Sequence, residues 1–422
     1  MMGATATEKI LARVGGKKSV KPGDIVYPEP DYIIMHDLHA HLFLRELWDK
    51  GLKELWKPER VMIVIDHRVP AHNVKAAGVH KEIREWVDKY NIGHFYDIND
   101  TGITHMLQVE RGIARPGNFI VAKDVHCPNA GAVGSLAFPL VYDIPAFLAL
   151  GSAWVRVPET VRINLNGKAK PGVHARDVVQ ASMAKLGYED ADYRVIEFGG
   201  DYVDQLSIDG RQILCNVVVE YGAKSGFTNP DDKACDFVKS VTDEPFEPAV
   251  SDPDAEYALV LDFDVASLDP QLAAPPSPDN IVSVASVAGK TVNQAFVGAC
   301  SGGTLHDLRH AAAELKGQRI APGVRFLIAP STQRTMNLAT QEGLVDIFTQ
   351  AGATVLPPGC SACAGSVAPI ADGERCITTS TRNEPGRMGS KIDTEIYLAN
   401  AATVAASAVA GRITVPTAEV PE

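Results

Sequence analysis

The chain has 422 residues, a formal net charge of −12, and 45% hydrophobic against 22% charged residues. That length exceeds one ordinary core and predicts two or three domains, and the composition is that of a globular protein, not a disordered or membrane one. The acidic excess argues against a general nucleic-acid binder, which needs a basic face.

Residues 1–12 are polar and small, without the basic start and apolar run of a secretory signal. Residues 61–65 (VMIVI) form a continuous apolar run ending in Asp66-His67, the pattern of a buried parallel strand. Residues 80–89 predict an amphipathic helix. Residues 119–122 predict a further strand, ending in Lys123-Asp124-Val125-His126. Polar residues just past strand ends are where open α/β sheets bind their ligands. The longest apolar stretch, 144–157, is closed by Pro158 and is too short to span a bilayer. A cytoplasmic protein with no membrane contact is the expectation.

Residues 161–165 predict a strand and 172–185 a helix, while 215–220 form a β-branched run. Over 270–280 the composition turns to PQLAAPPSPDN, which predicts a linker. A strand end at 295–298 then leads into Cys300-Ser301-Gly302-Gly303. Helix at 306–315, strand at 324–329, helix at 340–350 and strand at 353–356 follow, the last running into Pro357-Pro358-Gly359-Cys360. The βαβα rhythm predicts an α/β protein of three α/β/α domains with mostly parallel sheets, over 1–158, 159–280 and 281–422.

Seven cysteines in a long chain without an export signal fit reduced thiols better than a disulfide framework. Cys360 and Cys363 form C-x-x-C after Pro-Gly, and Cys300 follows another strand end in the same domain. Alone, the C-x-x-C suits half a zinc site, a redox pair or two cluster ligands. Three thiolates at one sheet edge would suit a cubane with one iron left open, and three separate buried core cysteines would suit the same spacing.

The flanking residues carry a resemblance over almost the whole chain. Val297-Gly298-Ala299-Cys300-Ser301-Gly302-Gly303 looks like the first cluster-ligand loop of the aconitase and 3-isopropylmalate dehydratase family. Pro358-Gly359-Cys360-Ser361-Ala362-Cys363-Ala364-Gly365 resembles its second loop, P-G-C-S-x-C-x-G. Thr381-Arg382-Asn383 and Gly386-Arg387-Met388-Gly389 resemble its substrate segment, and 398–408 its closing helix. Asp66-His67, Gly102-Ile103-Thr104-His105 and Cys215-Asn216 with Glu220 also line up.

The resemblance implies an iron–sulfur hydro-lyase large subunit. It implies a [4Fe–4S] cluster on Cys300, Cys360 and Cys363, with one iron lacking a cysteine ligand, in a central cleft between the domains. Asp66, His67, His105, Asp124 and His126 would surround the cluster and the substrate hydroxyl, with His105, oriented by Asp124, as the proton donor. Asn216 and Glu220, on one face of either a strand or a helical turn, would reach the iron and its bound water. Arg382 and Arg387 would grip carboxylates of a malate-type 2-hydroxy di- or tricarboxylic acid. For His72, His80, His94, His174 and His310 a satisfied core or surface imidazole is the expectation.

Certain positions depart from the family pattern. Its D-S-H-T is Asp124-Val125-His126-Cys127, its N-R-N-F is Thr381-Arg382-Asn383-Glu384, its C-T-N is Cys300-Ser301-Gly302, and its H-D-G-T is His36-Asp37-Leu38-His39. Val125 cannot hydrogen-bond a carboxylate as serine does, so an altered substrate is expected. After the polar tail from Thr414 to Glu419 no further domain is expected, so a small swivel-domain subunit would supply the serine base. The alternative class is a cluster-dependent sensor or RNA-binding relative, which the net charge of −12 disfavours.

Overall fold

Short apolar runs, each followed by a polar turn, assemble into three larger, mostly parallel sheets in the computed structural model, which describes residues 3–418. Met1 and Met2, at the start of the polar N-terminal stretch, and Glu419, at the end of the polar tail, lie outside the described residues, as do 420–422.

The first sheet holds β1 (Tyr32–His36), β2 (Val61–Val64), β3 (His94–Tyr96), β4 (Phe119–Ala122) and β5 (Leu136–Pro139) in the order β3-β2-β1-β4-β5, all parallel. Every residue of β2 and β4 is buried. Their alternate side chains divide between two cores. Val61, Ile63, Phe119 and Val121 pack with α1 (Val74–Tyr90), while Met62, Val64, Ile120 and Ala122 pack on the opposite face with α2 (Thr104–Glu110). Cover on both faces explains why these strands read as unbroken hydrophobic runs.

The second sheet orders β6 (Thr160–Asn166), β7 (Val195–Gly199), β8 (Ser225–Thr228) and β9 (Leu259–Asp264) as β8-β7-β6-β9. Its strands are parallel, and α3 (Ala175–Leu186) and α4 (Ile208–Val217) pack on Val161, Ile163 and Leu165. The β-branched run at 215–220 is helical: α4 ends at Val217 and the turn Val218–Tyr221 continues it. Helix propensity is a weak preference, and burial of Leu214, Val217 and Val218 in this core overrides it.

The third sheet comprises β10 (Gln271–Ala273), β11 (Ile281–Ser283), β12 (Gln294–Val297), β13 (Arg325–Ile328), β14 (Thr354–Val355), β15 (Arg375–Thr378) and β16 (Glu395–Ala399), ordered β11-β10-β16-β15-β12-β13-β14. Only β10 runs against the others, so its pairings with β11 and β16 are antiparallel and the rest are parallel. The segment 270–280, expected as linker, therefore begins with a strand: Leu272 is fully buried and pairs with Ala399 and Val282. Helices α5 (Leu305–Leu315), α6 (Gln333–Gln341), α7 (Leu344–Ala351) and α8 (Ala401–Ala410) flank this sheet. The helix expected over 340–350 is thus two helices, broken at Glu342-Gly343.

In the first sheet the chain runs outward from β1 to β2 and β3, then returns to β4 on the other side. In the third it runs from β12 to β13 and β14, then returns to β15. The carboxyl ends of β1 and β4, and of β12 and β15, are therefore topological switch points, where such sheets open a crevice. Among the described residues no helix is long and apolar enough to cross a membrane.

Candidate active site

Carboxylates at the strand ends of the first sheet each hold an imidazole. Asp66, just past β2, accepts hydrogen bonds at Oδ2 from the Thr104 amide (2.8 Å) and hydroxyl (2.6 Å), while its Oδ1 lies 2.6 Å from His67 Nδ1. One buried carboxylate thereby fixes both His67 and the start of α2, the helix that carries His105. Asp37, past β1, accepts the His67 amide at 3.1 Å and lies 3.5 Å from its Nδ1. Asp124, past β4, is shared: Oδ1 stands 3.0 Å from His105 Nε2 and 3.4 Å from His126 Nδ1, and Oδ2 stands 3.4 Å from His36 Nε2. The other His126 nitrogen, Nε2, meets Glu220 at 2.6 Å. Arg382 Nε donates to both Glu220 oxygens, at 2.8 and 3.0 Å, so a residue past β15 joins the first sheet's network through the turn after α4.

The cysteine loops meet this network. The Cys360 amide donates to the Asp66 carbonyl at 2.8 Å. Gly359 makes that approach possible: its φ is +149°, and a Cβ there would lie 2.7 Å from the same carbonyl oxygen. Cys300 follows β12, with its Sγ 3.7 Å from Asn216 Oδ1 on α4. Arg387 donates to Cys363 Sγ at 3.5 Å. Two residues beside the thiols, Ala299 (φ +65°) and Ser361 (φ +55°), take left-handed backbone conformations without being glycine. Such strain gathers where surrounding structure fixes a functional geometry. From the second layer, the buried Arg176 of α3 donates to the Ser301 hydroxyl (3.1 Å) and carbonyl (3.3 Å), to the Thr379 carbonyl (2.5 Å) and to the Ser380 carbonyl, binding the Cys300 loop to the end of β15.

The charges divide by environment. Burial opposes protonation of His126, but hydrogen bonds to Asp124 and Glu220 overcome it and raise its pKa to about 9. His67 is likewise raised well above the usual range: Asp66 and Asp37 outweigh its burial. His105 goes the other way, because burial outweighs its attraction to Asp124. Asp124 stays ionised despite burial, held by His105, His126 and His36. Glu220 does so too, held against its burial by His126 and Arg382. Burial therefore favours the neutral form of His105, and the carboxylates favour the charged form of His126 and His67. Sequence does not report this balance.

These shifts set a stability profile. His126 has its folded pKa above its ordinary 6.5, so its contribution is fully present below pH 6.5 and is lost as pH rises through about 9. Asp124 and Glu220 have lowered values, so theirs is present above the ordinary carboxylate range and lost as pH falls through the folded values. Thermal midpoints of the wild type should fall between pH 7 and 9.5 more steeply than those of His126→Gln. Parallel curves would show that His126 carries no such linkage.

Direct contacts gather the twelve singled-out residues into a few small groups. Asp66 joins His67 to the Cys360 loop, Asn216 joins Cys300 to α4, and Glu220 joins Arg382 to His126, Asp124 and His105. Arg387 stands against Cys363. His36, Asp37, Thr104 and Arg176 had no assigned role from sequence. The first two carry the same signal as Asp66-His67, a polar pair past a strand, but Arg176 reads as one arginine in an ordinary helix.

The donor set fits an iron–sulfur group. The three thiols are free, and each feels another's charge, so they face a common space. They are not among the groups gathered tightly enough around one point to hold a single ion. Soft thiolates set apart suit a cluster better than a lone metal. Buried polar atoms beside them, Asn216 Nδ2, Arg387 Nε and Thr381 Oγ1, lack protein partners.

Comparison with known proteins agrees with this geometry. The profile of the aconitase family (aconitate hydratase) matches residues 8–291 and 284–411. The chain is 40% identical over 417 residues to 3-isopropylmalate dehydratase large subunit 1 of Methanopyrus kandleri, covering 98% of this chain and 99% of that one. It is 39% identical over 417 residues to the 3-isopropylmalate dehydratase large subunit of Heliobacterium modesticaldum, with coverage of 98% and 99%. It is 40% identical over 422 residues to that of Aquifex aeolicus, with coverage of 98% and 97%. The crystal structure of Thermococcus kodakaraensis aconitase X in its holo form shares the fold, with a TM-score of 0.50, 12% identity and 89% of each chain covered.

Proposed function

This chain belongs to the aconitase family, and from that premise we propose that it is the large subunit of an iron–sulfur hydro-lyase adding or removing water across a malate-type 2-hydroxy acid. The observation that carries the reading is the meeting of three free thiols with three imidazole–carboxylate contacts at two sheet switch points.

Cys300, Cys360 and Cys363 would hold a [4Fe–4S] cluster. An iron without a cysteine ligand supplies Lewis-acid chemistry at a hydroxyl. The protein's own groups do the rest. Arg382 and Arg387 orient carboxylates through paired hydrogen bonds. His67 is charged, and its Nδ1 is held by Asp66, which leaves Nε2–H to protonate the departing hydroxide. Asp124, Glu220, His105 and His126 form a hydrogen-bonded chain that joins Arg382. As the carbon–oxygen bond breaks, the neighbouring carbon loses a proton to a base, and water leaves.

That base is assigned to a small swivel-domain subunit, in keeping with relatives named large subunits. Ser301, the nearest serine to Cys300, does not serve: its hydroxyl donates to the Thr379 carbonyl at 2.7 Å and accepts from Arg176. Reduced thiols and a cluster require a reducing compartment, the cytoplasm.

Val125 and Thr381 set the substrate. Val125 offers no hydrogen bond, and the buried Thr381 hydroxyl has no protein partner. We assign a malate-type acid substituted differently from isopropylmalate. The test is anaerobic cluster reconstitution with the companion subunit and a panel of 2-hydroxy acids. Turnover of a malate-type acid other than isopropylmalate is expected. Isopropylmalate as the best substrate would overturn the altered pocket, and no turnover of any member would overturn the hydro-lyase reading.

A further inference from the structure

Three imidazoles outside the active site converge where the second and third layers meet. His174 stands just before α3, and His306 and His310 lie one turn apart on α5. Ring centroids are 4.1 Å apart for His174 and His310, 4.3 Å for His306 and His310, and 6.3 Å for His174 and His306. One nitrogen from each ring falls within 4.8 Å of those from the other two. Sequence gave no reason to separate His174 and His310 from ordinary satisfied imidazoles, but they are not satisfied. His174 Nδ1 and His310 Nε2 are buried without a hydrogen-bond partner. Buried polar atoms are nearly always paired, so two orphans aimed into one small enclosure need an explanation.

The enclosure has room for one water-sized body. Burial, reinforced by the neighbouring rings, pushes His174 down to about 3 and His310 down to about 2. Asp307, buried on the same helix, interacts with His306, and an Asp209 oxygen lies 3.4 Å from the His306 amide. Arg176 also lines the enclosure, but its terminal nitrogens are engaged with Ser301, Thr379 and Ser380. His174 and His306 are half-buried and leave a way in from solvent.

We propose that His174, His306 and His310 form a second metal site, separate from the cysteines, for a borderline divalent ion of the zinc class with its fourth position left open. Three imidazoles with an open position suit zinc, and the absence of thiolate and carboxylate ligands argues against iron–sulfur groups, calcium and magnesium. The ion ties the start of α3 to α5. Arg176 lies two residues beyond His174, so the tie reaches the carbonyls that position the Cys300 loop.

Cobalt(II) is the probe, because its spectrum separates nitrogen from sulfur ligands. The cluster-reconstituted full chain, equilibrated with Co2+ and dialysed, should keep a single Co2+ by metal analysis, and the difference spectrum against the Co2+-free holoprotein should show d–d bands and no added near-ultraviolet thiolate band. Zinc should displace it. His306→Ala, at a half-buried position, and His310→Asn should each weaken retention by at least roughly the 10- to 100-fold that loss of an outer-shell partner costs. The far-ultraviolet circular dichroism of His306→Ala should remain that of the wild type. The proposal fails if the wild type retains no Co2+, if the bound ion shows a thiolate band, or if folded His306→Ala holds it as tightly.

Discussion

Cys360→Ser should yield a folded chain that holds no iron–sulfur cluster. Cys360 is anchored by its own amide to the Asp66 carbonyl, so the change leaves the loop in place and removes only sulfur. A serine hydroxyl is a hard, weakly acidic donor, and cubane iron requires soft thiolate. The loss also reaches Cys363, whose thiol is held low first by the hydrogen bond with Cys360 and then by Arg387, against its burial. Cys300→Ser and Cys363→Ser should behave alike. Cys235→Ser and Cys376→Ala are the controls: Cys235 is only half-buried, and Cys376 is sealed in β15 with its sulfur near Met388. Iron and acid-labile sulfide per chain, with the visible absorbance, give the readout. Full iron and sulfide in Cys360→Ser would remove this residue from the ligand set.

His67→Ala should lower kcat by about 100- to 10,000-fold, the usual worth of a positioned proton donor, with little change in KM. His67 is a charged ring tied to the Cys360 loop, since its neighbour Asp66 accepts the Cys360 amide. Its folded pKa is raised, so the donor form persists through neutral pH, and the wild-type rate should fall on the alkaline side. His105→Ala should cost less, because a neutral imidazole orients its surroundings without carrying the proton. The measurement is steady-state kinetics of the cluster-loaded complex with its small subunit. If His105→Ala lost the greater share of kcat while His67→Ala kept its rate, the two roles would be reversed.

Much of this site was legible because parallel strands announce their ends. The runs at 61–65 and 119–122 are apolar until they reach Asp66-His67 and Lys123-Asp124, and the structure places those residues at the mouth of the first sheet. Cys300 and Cys360 follow strands in the same way. What sequence hid depends on contacts between distant segments. Gln271–Ala273 reads as proline-rich linker, yet its pairing with β16 makes it a strand. The helical state of 215–220 comes from burial against the second sheet. The charge on each histidine depends on how many carboxylates reach it, and Glu220 reaches His126 across 94 positions of sequence.

Arg176 has a consequence for how such a site changes over generations. Its hydrogen bonds at the Cys300 loop and the end of β15 fall chiefly on main-chain carbonyls. A carbonyl is presented alike whatever side chain its residue bears. Replacements of side chains along these segments can therefore leave the fastening of the Cys300 loop to the end of β15 intact. An arginine outside the recognisable motifs, by fastening backbone to backbone, lets ligand chemistry be inherited and selectivity drift independently.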